Sequence, residues 1–453
     1  MSTKRYEHHG EAEVSRLAQP LSFGQSLKSA PNRLLKSSMA EGLSTWDATN
    51  LQARGIPTDE YIELYRRWGE GGWGIIQTGN IMIDCKHMSA AGDAAIPCDS
   101  PLEGERFESF RAVAAAAKAH GALVIGQVNH PGRQIPSKMI NESISASAAQ
   151  LEPTAGMTFP PTRAATTDEI ARVVDAFAHA AEFLEAAGFD GIEVHSAHGY
   201  LLAQFLSPTT NKRTDAYGSS SIANRMRIVS EVCAAVRART RPGFLLAVKL
   251  NSVEFQAGGL STNDAAELAS ALQQDAGVDY LELSGGTYED FGLGRKKETT
   301  QAREAFFLEF AERVVPALGP ADGRRTKVFI TGGLRSAGAM AAALDVVDGV
   351  GIARPAVQEP ALARDLLSGR AKGAIKALPP FEEDFAMSGL GAWSQMRAIG
   401  KEFEPFDLSD AEVVGHFLKD AGAWFAEVAQ NGDDLTKFGY PDYTGELRPH
   451  LAN

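Results

Sequence analysis

Cysteine is scarce in this 453-residue sequence, which contains only Cys85, Cys98 and Cys233. An odd number of cysteines without a CxxC spacing provides no disulfide framework, and it provides no thiolate set for a zinc site or an iron–sulfur cluster. Because free thiols persist where the environment is reducing, we expect the protein to be cytoplasmic.

Long apolar runs and an excess of basic charge are also missing. No stretch of about 18 apolar residues is free of charge, and no apolar segment follows Lys4 and Arg5. We therefore expect neither a membrane span nor a secretory signal. The net charge is −13, and an acidic surface argues against nucleic acid and anionic membranes as partners.

The sequence does contain a regular alternation of short apolar runs and longer amphipathic segments. Hydrophobic residues make up 44% of the chain, which is enough for a large core. Buried parallel strands form continuous apolar runs, and on this basis we predict strands at residues 34–39, 74–80, 122–128, 191–195, 244–250, 279–283, 326–331 and 348–352. No additional strand-like pattern interrupts the alternation.

The segments between these runs have helical periodicity. We predict helices at residues 168–187, 263–276 and 336–344. The first has N-cap hydroxyls at Thr166 and Thr167, and it ends before Gly188. Strict alternation of strand and helix implies a parallel sheet with right-handed crossovers. Eight such units predict an α/β fold of the (β/α)8 TIM-barrel type.

The chain divides into three predicted parts: an N-terminal arm at 1–20, the barrel at 21–374 and a C-terminal helical extension at 375–453. The arm is polar and charged, and we expect it to lie outside the core. The extension contains an amphipathic segment at 408–428, and we expect it to cover the barrel or to contact another subunit. Residues 129–165 form a long loop after the third strand, of the kind that often builds a site.

Candidate catalytic residues cluster at the end of the fourth strand, where barrel enzymes place their chemistry. His195, His198 and Tyr200 lie within six residues of one another. Imidazole N–H groups can hold a carbonyl or phenolate oxygen, and a phenol can donate a proton. The alternatives are polar loop residues satisfied by backbone, or a metal-dependent hydrolase with Glu193, His195 and His198 as ligands.

Residues 188–202, GFDGIEVHSAHGYLL, carry the strongest motif, which continues as QFLSP at 204–208, NKRTD at 211–215 and YG at 217–218. This string closely resembles the signature of the old yellow enzyme family, and the resemblance covers about residues 20–370. It implies an FMN-dependent enzyme that uses NADPH or NADH to reduce the activated C=C bond of a small α,β-unsaturated carbonyl compound. It also implies that His195 and His198 hold the activating oxygen while Tyr200 supplies the proton.

The resemblance implies FMN contacts at several strand ends. Ser38, Met39 and Ala40 would run beside the isoalloxazine ring, and Gly79 would allow close backbone approach. Gln127 would pair with the pyrimidine edge of the flavin, and His195 would also contact the cofactor. Ser284, with Gly285 and Gly286, would form a supporting loop.

Lys249 lies inside the apolar run of the fifth strand. An unpaired buried lysine is costly, so this cation needs an anionic partner or a lowered pKa. One reading is a salt bridge to a barrel carboxylate such as Glu193 or Glu282. The resemblance implies instead that Lys249 lies beside N1 and O2 of the flavin.

The seventh and eighth strands end in Gly332-Gly333 and Ala353-Arg354. Barrels often bind phosphate at these two loops through backbone N–H groups and a short helix, and Arg354 would add a charge-assisted contact. A tight turn is the alternative explanation for the glycine pair. The two loops together favour the phosphate site.

Two positions depart from the family pattern. Ala40 stands where a threonine or cysteine usually hydrogen-bonds the flavin, and we predict a lower reduction potential as a result. Gly42 stands where some bacterial-type members carry a tyrosine. An isomerase or dehydrogenase acting on one dedicated biosynthetic metabolite remains the alternative function, and a homo-oligomer remains open.

Overall fold

Eight parallel strands form a closed barrel in the computed structural model, which describes residues 4–7, 13–154, 156–252, 254, 258–285, 308–431 and 435–451. The barrel closes because β1 pairs with both β2 and β8, and each other strand pairs with its sequence neighbours. The predicted TIM barrel is confirmed. The strands are β1 Leu34–Lys36, β2 Ile75–Met82, β3 Leu123–Asn129, β4 Gly191–Ser196, β5 Leu245–Asn251, β6 Tyr280–Ser284, β7 Lys327–Thr331 and β8 Gly349–Ile352.

Helices follow the strands, and residues 308–314 are also helical. The predicted helix after β3 begins with a capping box, in which the Thr166 side chain accepts from the Glu169 N–H and Glu169 accepts from the Thr166 N–H. It ends before Gly188, whose φ of 94° suits a helix terminus. The helices are α1 Asp59–Gly69, α2 Gly104–Lys118, α3 Thr167–Ala186, α4 Leu201–Leu206, α5 Ile222–Arg239, α6 Thr262–Asp275, α7 Ala337–Ala343, α8 Pro355–Gln358, α9 Leu362–Leu367, α10 Phe385–Gly400 and α11 Ala411–Gln430, and the 3₁₀ helices are Val14–Ala18, Leu51–Ala53 and Val315–Leu318.

Five short strands lie outside the barrel order predicted from sequence, so the expectation of no further strand was wrong. Leu21–Phe23 and Lys28–Ala30 form an antiparallel pair, Ala94–Ala95 pairs with β2, and Ser143–Ser145 pairs with Thr162–Ala164. Strands of two or three residues are too short to show a period-two pattern.

The antiparallel pair Leu21–Phe23 and Lys28–Ala30 covers the N-terminal end of the barrel. Its buried Phe23 packs in one cluster with Ile75 and Leu245, which begin β2 and β5. Aromatic contacts continue from Phe23 to Tyr280 at a centroid distance of 5.7 Å. Because this end is closed by apolar side chains, the opposite, C-terminal end is left for polar groups.

The expectation that the first 20 residues lie outside the core was wrong for two of them. Tyr6 is 3% exposed and Leu17 is fully buried. The Tyr6 N–H donates to the Ala374 carbonyl at 3.0 Å, and the Arg33 N–H donates to the Leu17 carbonyl at 2.9 Å. Single apolar residues inside a polar segment carry no periodic signal, and long-range pairing buries them.

The C-terminal extension carries a small core of its own, which includes Phe381, Phe406 and Phe417. Arg67 of α1 binds Glu404 with both N···O distances at 3.0 Å, and this contact joins the extension to the barrel. The amphipathic segment predicted at 408–428 corresponds to α11. Within the described part of the chain, no helix is long and apolar enough to cross a membrane. The division at residues 20 and 374 stays a prediction.

Candidate active site

The turn after β4 brings two imidazoles and a phenol together. His198 and Gly199 both adopt left-handed backbone conformations, with φ of 57° and 71°, and this sharp turn places Tyr200 at the start of α4. The ring centroid of His195 lies 5.3 Å from that of His198 and 4.8 Å from that of Tyr200. The three side chains predicted from sequence therefore form one cluster at the C-terminal end of the barrel.

Both imidazoles are neutral at physiological pH. Burial, followed by the nearby His198 and Lys249, holds the pKa of His195 well below its usual value, and burial followed by Lys249 lowers the pKa of His198 to about 3. The Nδ1 atom of His195 accepts from the Ala197 N–H at 3.3 Å, which leaves the ring proton on Nε2. His195 is thus a neutral N–H donor.

His198 is held by the ends of β5 and β6. Its backbone N–H donates to Oδ1 of Asn251 at 3.3 Å, and its Nε2 lies 2.9 Å from Oγ of Ser284. Ser284, predicted to contact the cofactor, therefore also orients this imidazole. Gly286, the last residue of that predicted loop, lies outside the described residues.

The Tyr200 phenol is 8% exposed and is held by an amide chain from β2 and β3. Asn129 donates to Oδ1 of Asn80 at 3.2 Å, and Nδ2 of Asn80 donates to the Tyr200 oxygen at 3.4 Å. Because the phenol oxygen accepts from Asn80, its own proton is directed away from that residue. Sequence reasoning missed both asparagines, because Asn80 ends the run predicted as a strand at 74–80 and Asn129, which ends β3, was assigned to the predicted loop at 129–165.

Lys249 makes a buried salt bridge beneath the cluster, as one of the two sequence readings predicted. Its Nζ lies 2.9 Å from Oε1 of Glu282 and 3.4 Å from Oγ of Ser37, and Ser37 donates to the same carboxylate oxygen at 2.5 Å. Burial opposes ionisation of Glu282, but the charge of Lys249 and the hydrogen bonds from Glu193, Ser37 and Thr331 together outweigh it and lower the pKa of Glu282 to about 2. Although burial lowers the pKa of Lys249, Glu282 and Glu193 raise it overall, so the amine remains a cation.

A second buried carboxyl lies beside this salt bridge. Burial and then the charge of Glu282 raise the pKa of Glu193 well above its usual value, so Glu193 keeps its proton and hydrogen-bonds to Glu282. Gln127 Nε2 donates to Oε2 of Glu193 at 2.6 Å. The floor of the site therefore contains one cation, one carboxylate and one neutral acid. Gln127, predicted to face the flavin, has one amide hydrogen committed to Glu193.

Gly79 is required by close packing of the chain against itself. A side chain at position 79 would collide with the Met39 carbonyl oxygen and the Glu41 carboxylate, and it would come within 2.8 Å of Cα of Ala40. The Gly79 N–H donates to Glu41 at 2.7 Å, and Glu41 also accepts from Tyr65. The backbone of Gly79 therefore closely approaches the loop after β1. From the sequence alone, a glycine packed against this loop could not be distinguished from a glycine packed against a ligand.

The loops after β7 and β8 have the features of a phosphate site. Gly332 and Gly333 have φ of 136° and 76°. Within the described residues, the N–H groups of Gly333 and Ala353 donate to no backbone carbonyl, which suits them to bind an anion. The Arg354 guanidinium lies 5.2 Å from the ring centre of Phe385.

The donor set fits an FMN molecule. Its phosphate would find backbone N–H groups at one side of the barrel mouth, and its ring would find the Lys249 cation at the floor. In the described part of the chain, the buried Oγ of Ser38 has no hydrogen-bond partner of its own. Over the same residues, no group of three His, Cys, Asp or Glu side chains is arranged to hold a metal ion.

Comparison with known proteins identifies the family of the chain. The sequence profile of the NADH:flavin oxidoreductase / NADH oxidase family matches residues 16–373. The chain belongs to this family. The predicted resemblance to old yellow enzyme is confirmed, and so is the prediction of an oxidoreductase that uses FMN and NAD(P)H.

Two relatives in the family come from fungi. NADH-dependent flavin oxidoreductase nadA of Aspergillus parasiticus is 44% identical over 441 residues, which cover 96% of this chain and 97% of that protein. NADH-dependent flavin oxidoreductase iccE of Talaromyces variabilis is 38% identical over 361 residues, which cover 74% of this chain and 83% of that protein.

Solved structures of the family share the fold. Morphinone reductase in complex with tetrahydroNAD has a TM-score of 0.62 and 24% identity, and the match covers 82% of this chain and 95% of that chain. The old yellow enzyme homologue from Zymomonas mobilis has a TM-score of 0.62 and 23% identity, and the match covers 80% and 95% of the two chains.

Proposed function

We propose that the protein transfers hydride from NADH or NADPH, by way of FMN, to the activated C=C bond of an α,β-unsaturated carbonyl compound, with Tyr200 as the proton donor. One observation carries the proposal: His195, His198 and Tyr200 converge at a single strand end above the buried cation Lys249. When bound, FMN supplies the hydride chemistry that amino-acid side chains lack.

His195 and His198 are proposed to hold the carbonyl oxygen of the substrate. As neutral imidazoles, they donate N–H hydrogen bonds that strengthen as negative charge develops on the oxygen during reduction. Their depressed pKa values favour this role, because an imidazolium would itself be an acid at the wrong position. Tyr200, whose oxygen is fixed by Asn80, then supplies the proton to the carbon next to the carbonyl.

The residues proposed to hold FMN lie in or just after the C-terminal halves of all eight strands and form a cradle with a cationic floor and an N–H-rich edge. The floor cation would stabilise negative charge on the bound ring, and the N–H groups would bind the phosphate. These residues are Ser38, Met39, Ala40, Gly79, Gln127, His195, Lys249, Ser284, Gly332, Gly333, Ala353 and Arg354.

The names of both fungal relatives specify NADH, and we therefore propose NADH as the reductant. The substrate is proposed to be a small molecule, since the structural neighbours are enzymes that act on small molecules. A homo-oligomeric state and a cytoplasmic location stay predictions.

The test is product analysis under nitrogen. Purified protein, NADH and 2-cyclohexen-1-one should yield cyclohexanone in a one-to-one ratio with the NADH consumed. No cyclohexanone under nitrogen, together with oxidation of NADH once air is admitted, would instead favour an isomerase or dehydrogenase with one dedicated substrate.

A further inference from the structure

The C-terminal extension returns to the mouth of the barrel after α11. Asp442 binds Arg397 of α10 through two contacts at 2.9 and 3.0 Å, and it also binds Lys401 at 2.8 Å. These charged contacts hold the segment just before them, residues 438–440, against the loop that follows β1. Phe438 touches that loop through Trp46, at a centroid distance of 6.3 Å.

Tyr440 lies directly against the loop after β1. Its ring stacks on Trp393 of α10, with centroids 4.5 Å apart and planes inclined by 11°. A β-carbon at Gly42 would lie 2.9 Å from Cε2 of Tyr440, so the ring fills the space that a side chain at position 42 would need. Gly42 has a φ of 66°, which also disfavours a side chain there.

The neighbours of Tyr440 connect it to the active-site cluster. Gly42 belongs to the same loop as Ser38, Met39 and Ala40, two to four residues further along the chain. Burial, followed by the charges of Asp93 and Tyr200, raises the pKa of Tyr440. Glu41, which precedes Gly42, accepts from the Gly79 N–H at 2.7 Å, and the next residue, Asn80, donates to the Tyr200 oxygen at 3.4 Å, so the loop that Tyr440 contacts adjoins the residues that hold Tyr200. The hydroxyl of Tyr440 also stays protonated, which makes it a hydrogen-bond donor at neutral pH.

The hydroxyl of Tyr440 is available to a ligand. Within the part of the chain that the structure describes, no hydrogen bond engages it. The ring, in contrast, is fixed by Trp393 on one face and by the backbone of Gly42 at its edge. A rigid aromatic ring with an unused donor is well suited to contacting a small polar molecule.

We propose that Tyr440 of the C-terminal extension forms one wall of the substrate pocket and that its hydroxyl contacts the substrate, so that the extension helps to determine specificity. The inference rests on the proposed enone reduction, because that function defines the pocket next to Tyr200. Tyr440 is here a substrate-positioning residue, while proton transfer remains with Tyr200.

Two substitutions separate the hydroxyl from the ring. Tyr440→Phe keeps the stacking on Trp393 and removes only the hydroxyl, so the KM for 2-cyclohexen-1-one should rise about two- to tenfold with little change in kcat. Tyr440→Ala removes the wall, and kcat/KM for a bulkier enone such as carvone should increase relative to that for cyclohexenone. Tyr443→Phe and Tyr443→Ala are the matched controls, because Tyr443 stacks on Phe406 within the extension, at a centroid distance of 4.7 Å.

A binding titration provides a readout that does not require turnover. Phenol added to the FMN-loaded, oxidised protein should perturb the visible flavin absorption, since its oxygen suits the two imidazole donors. Tyr440→Phe and Tyr440→Ala should shift the dissociation constant of phenol at least twofold, and the Tyr443 variants should not.

The outcomes distinguish the inference from the proposed function. If the Tyr440 and Tyr443 variants have the same KM, enone preference and phenol affinity as the unaltered protein, the inference is wrong while enone reduction stands. If the unaltered protein binds phenol but reduces no enone, the proposed function fails, and a phenol affinity that depends on Tyr440 would still support its place in the pocket. A protein that binds no FMN would overturn both.

Discussion

The buried pair Glu193 and Glu282 provides a sharp prediction, because the two carboxyls are assigned opposite protonation states. In Glu193→Gln the amide replaces a neutral acid of the same shape, so it still accepts from Gln127 and donates to Glu282. In Glu282→Gln a charged partner is lost, and Lys249 is left as a buried cation without its counter-ion.

The expected costs differ by several kcal/mol. Breaking a buried salt bridge from one side typically destabilises a protein by about 3–5 kcal/mol, and we expect a loss in this range for Glu282→Gln. At pH 4.5 and below, where Glu193 is largely protonated in the unfolded chain as well, exchange of one neutral hydrogen-bonding group for another should change the free energy of unfolding by about 1 kcal/mol or less for Glu193→Gln. The two substitutions are chemically identical and lie on β4 and β6, which flank β5 in one site, so each serves as the control for the other.

The pH dependence of the free energy of unfolding tests the same assignment, because its direction follows from the raised pKa of Glu193. Glu193 has a raised pKa in the folded protein, so its contribution to stability is complete below the usual value of 4.5 and is lost as the pH rises towards its folded value. Glu193→Gln removes this loss. The variant should therefore gain stability relative to the unaltered protein above pH 4.5, by up to about 1.4 kcal/mol for each pH unit.

Urea unfolding followed by tryptophan fluorescence, at several pH values and with the same excess of FMN, measures both effects. Urea is uncharged and leaves the salt bridge unscreened. Equal destabilisation by the two substitutions, or a larger cost for Glu193→Gln with no relative gain at high pH, would refute the assignment of protonation states.

Three further predictions concern single residues of the site. Tyr200→Phe should slow reoxidation of the reduced enzyme by 2-cyclohexen-1-one about 10²–10⁴-fold in stopped-flow measurements, while the rate of reduction by NADH stays within a few fold; equal slowing of both steps would argue against proton donation. Ala40→Cys should raise the midpoint potential of the bound flavin in potentiometry by adding a hydrogen-bond donor, and an unchanged potential would remove the argument from Ala40. Arg354→Met should weaken FMN binding about tenfold or more by removing a charge-assisted contact with phosphate; the control is riboflavin, which has no phosphate and should bind both proteins equally in fluorescence titrations.

The barrel could be predicted from sequence because parallel strands buried on both faces leave continuous apolar runs. Runs such as 244–250 and 279–283 end within one residue of β5 and β6. The cluster after β4 could also be predicted, since His195, His198 and Tyr200 are close in sequence as well as in space.

Features that depend on distant pairing could not be predicted. Lys249 had two candidate carboxylate partners in the sequence, and only the register of β5 with β6, which aligns Lys249 with Glu282, decides between them. Asn80 and Asn129 meet through the pairing of β2 with β3. Tyr440 reaches the loop after β1 across about 400 residues of chain, and no local pattern marks it, since its position depends on the packing of α10 and the Asp442 contacts.

The most direct test of the central claim is a visible absorption spectrum of the FMN-loaded protein, recorded first alone, then after anaerobic addition of NADH, and finally after addition of 2-cyclohexen-1-one. The account predicts a flavin band that bleaches with NADH and returns with the enone. A protein that takes up no FMN, or a bleached band that the enone leaves unchanged and only oxygen restores, would contradict enone reduction as the function of this site.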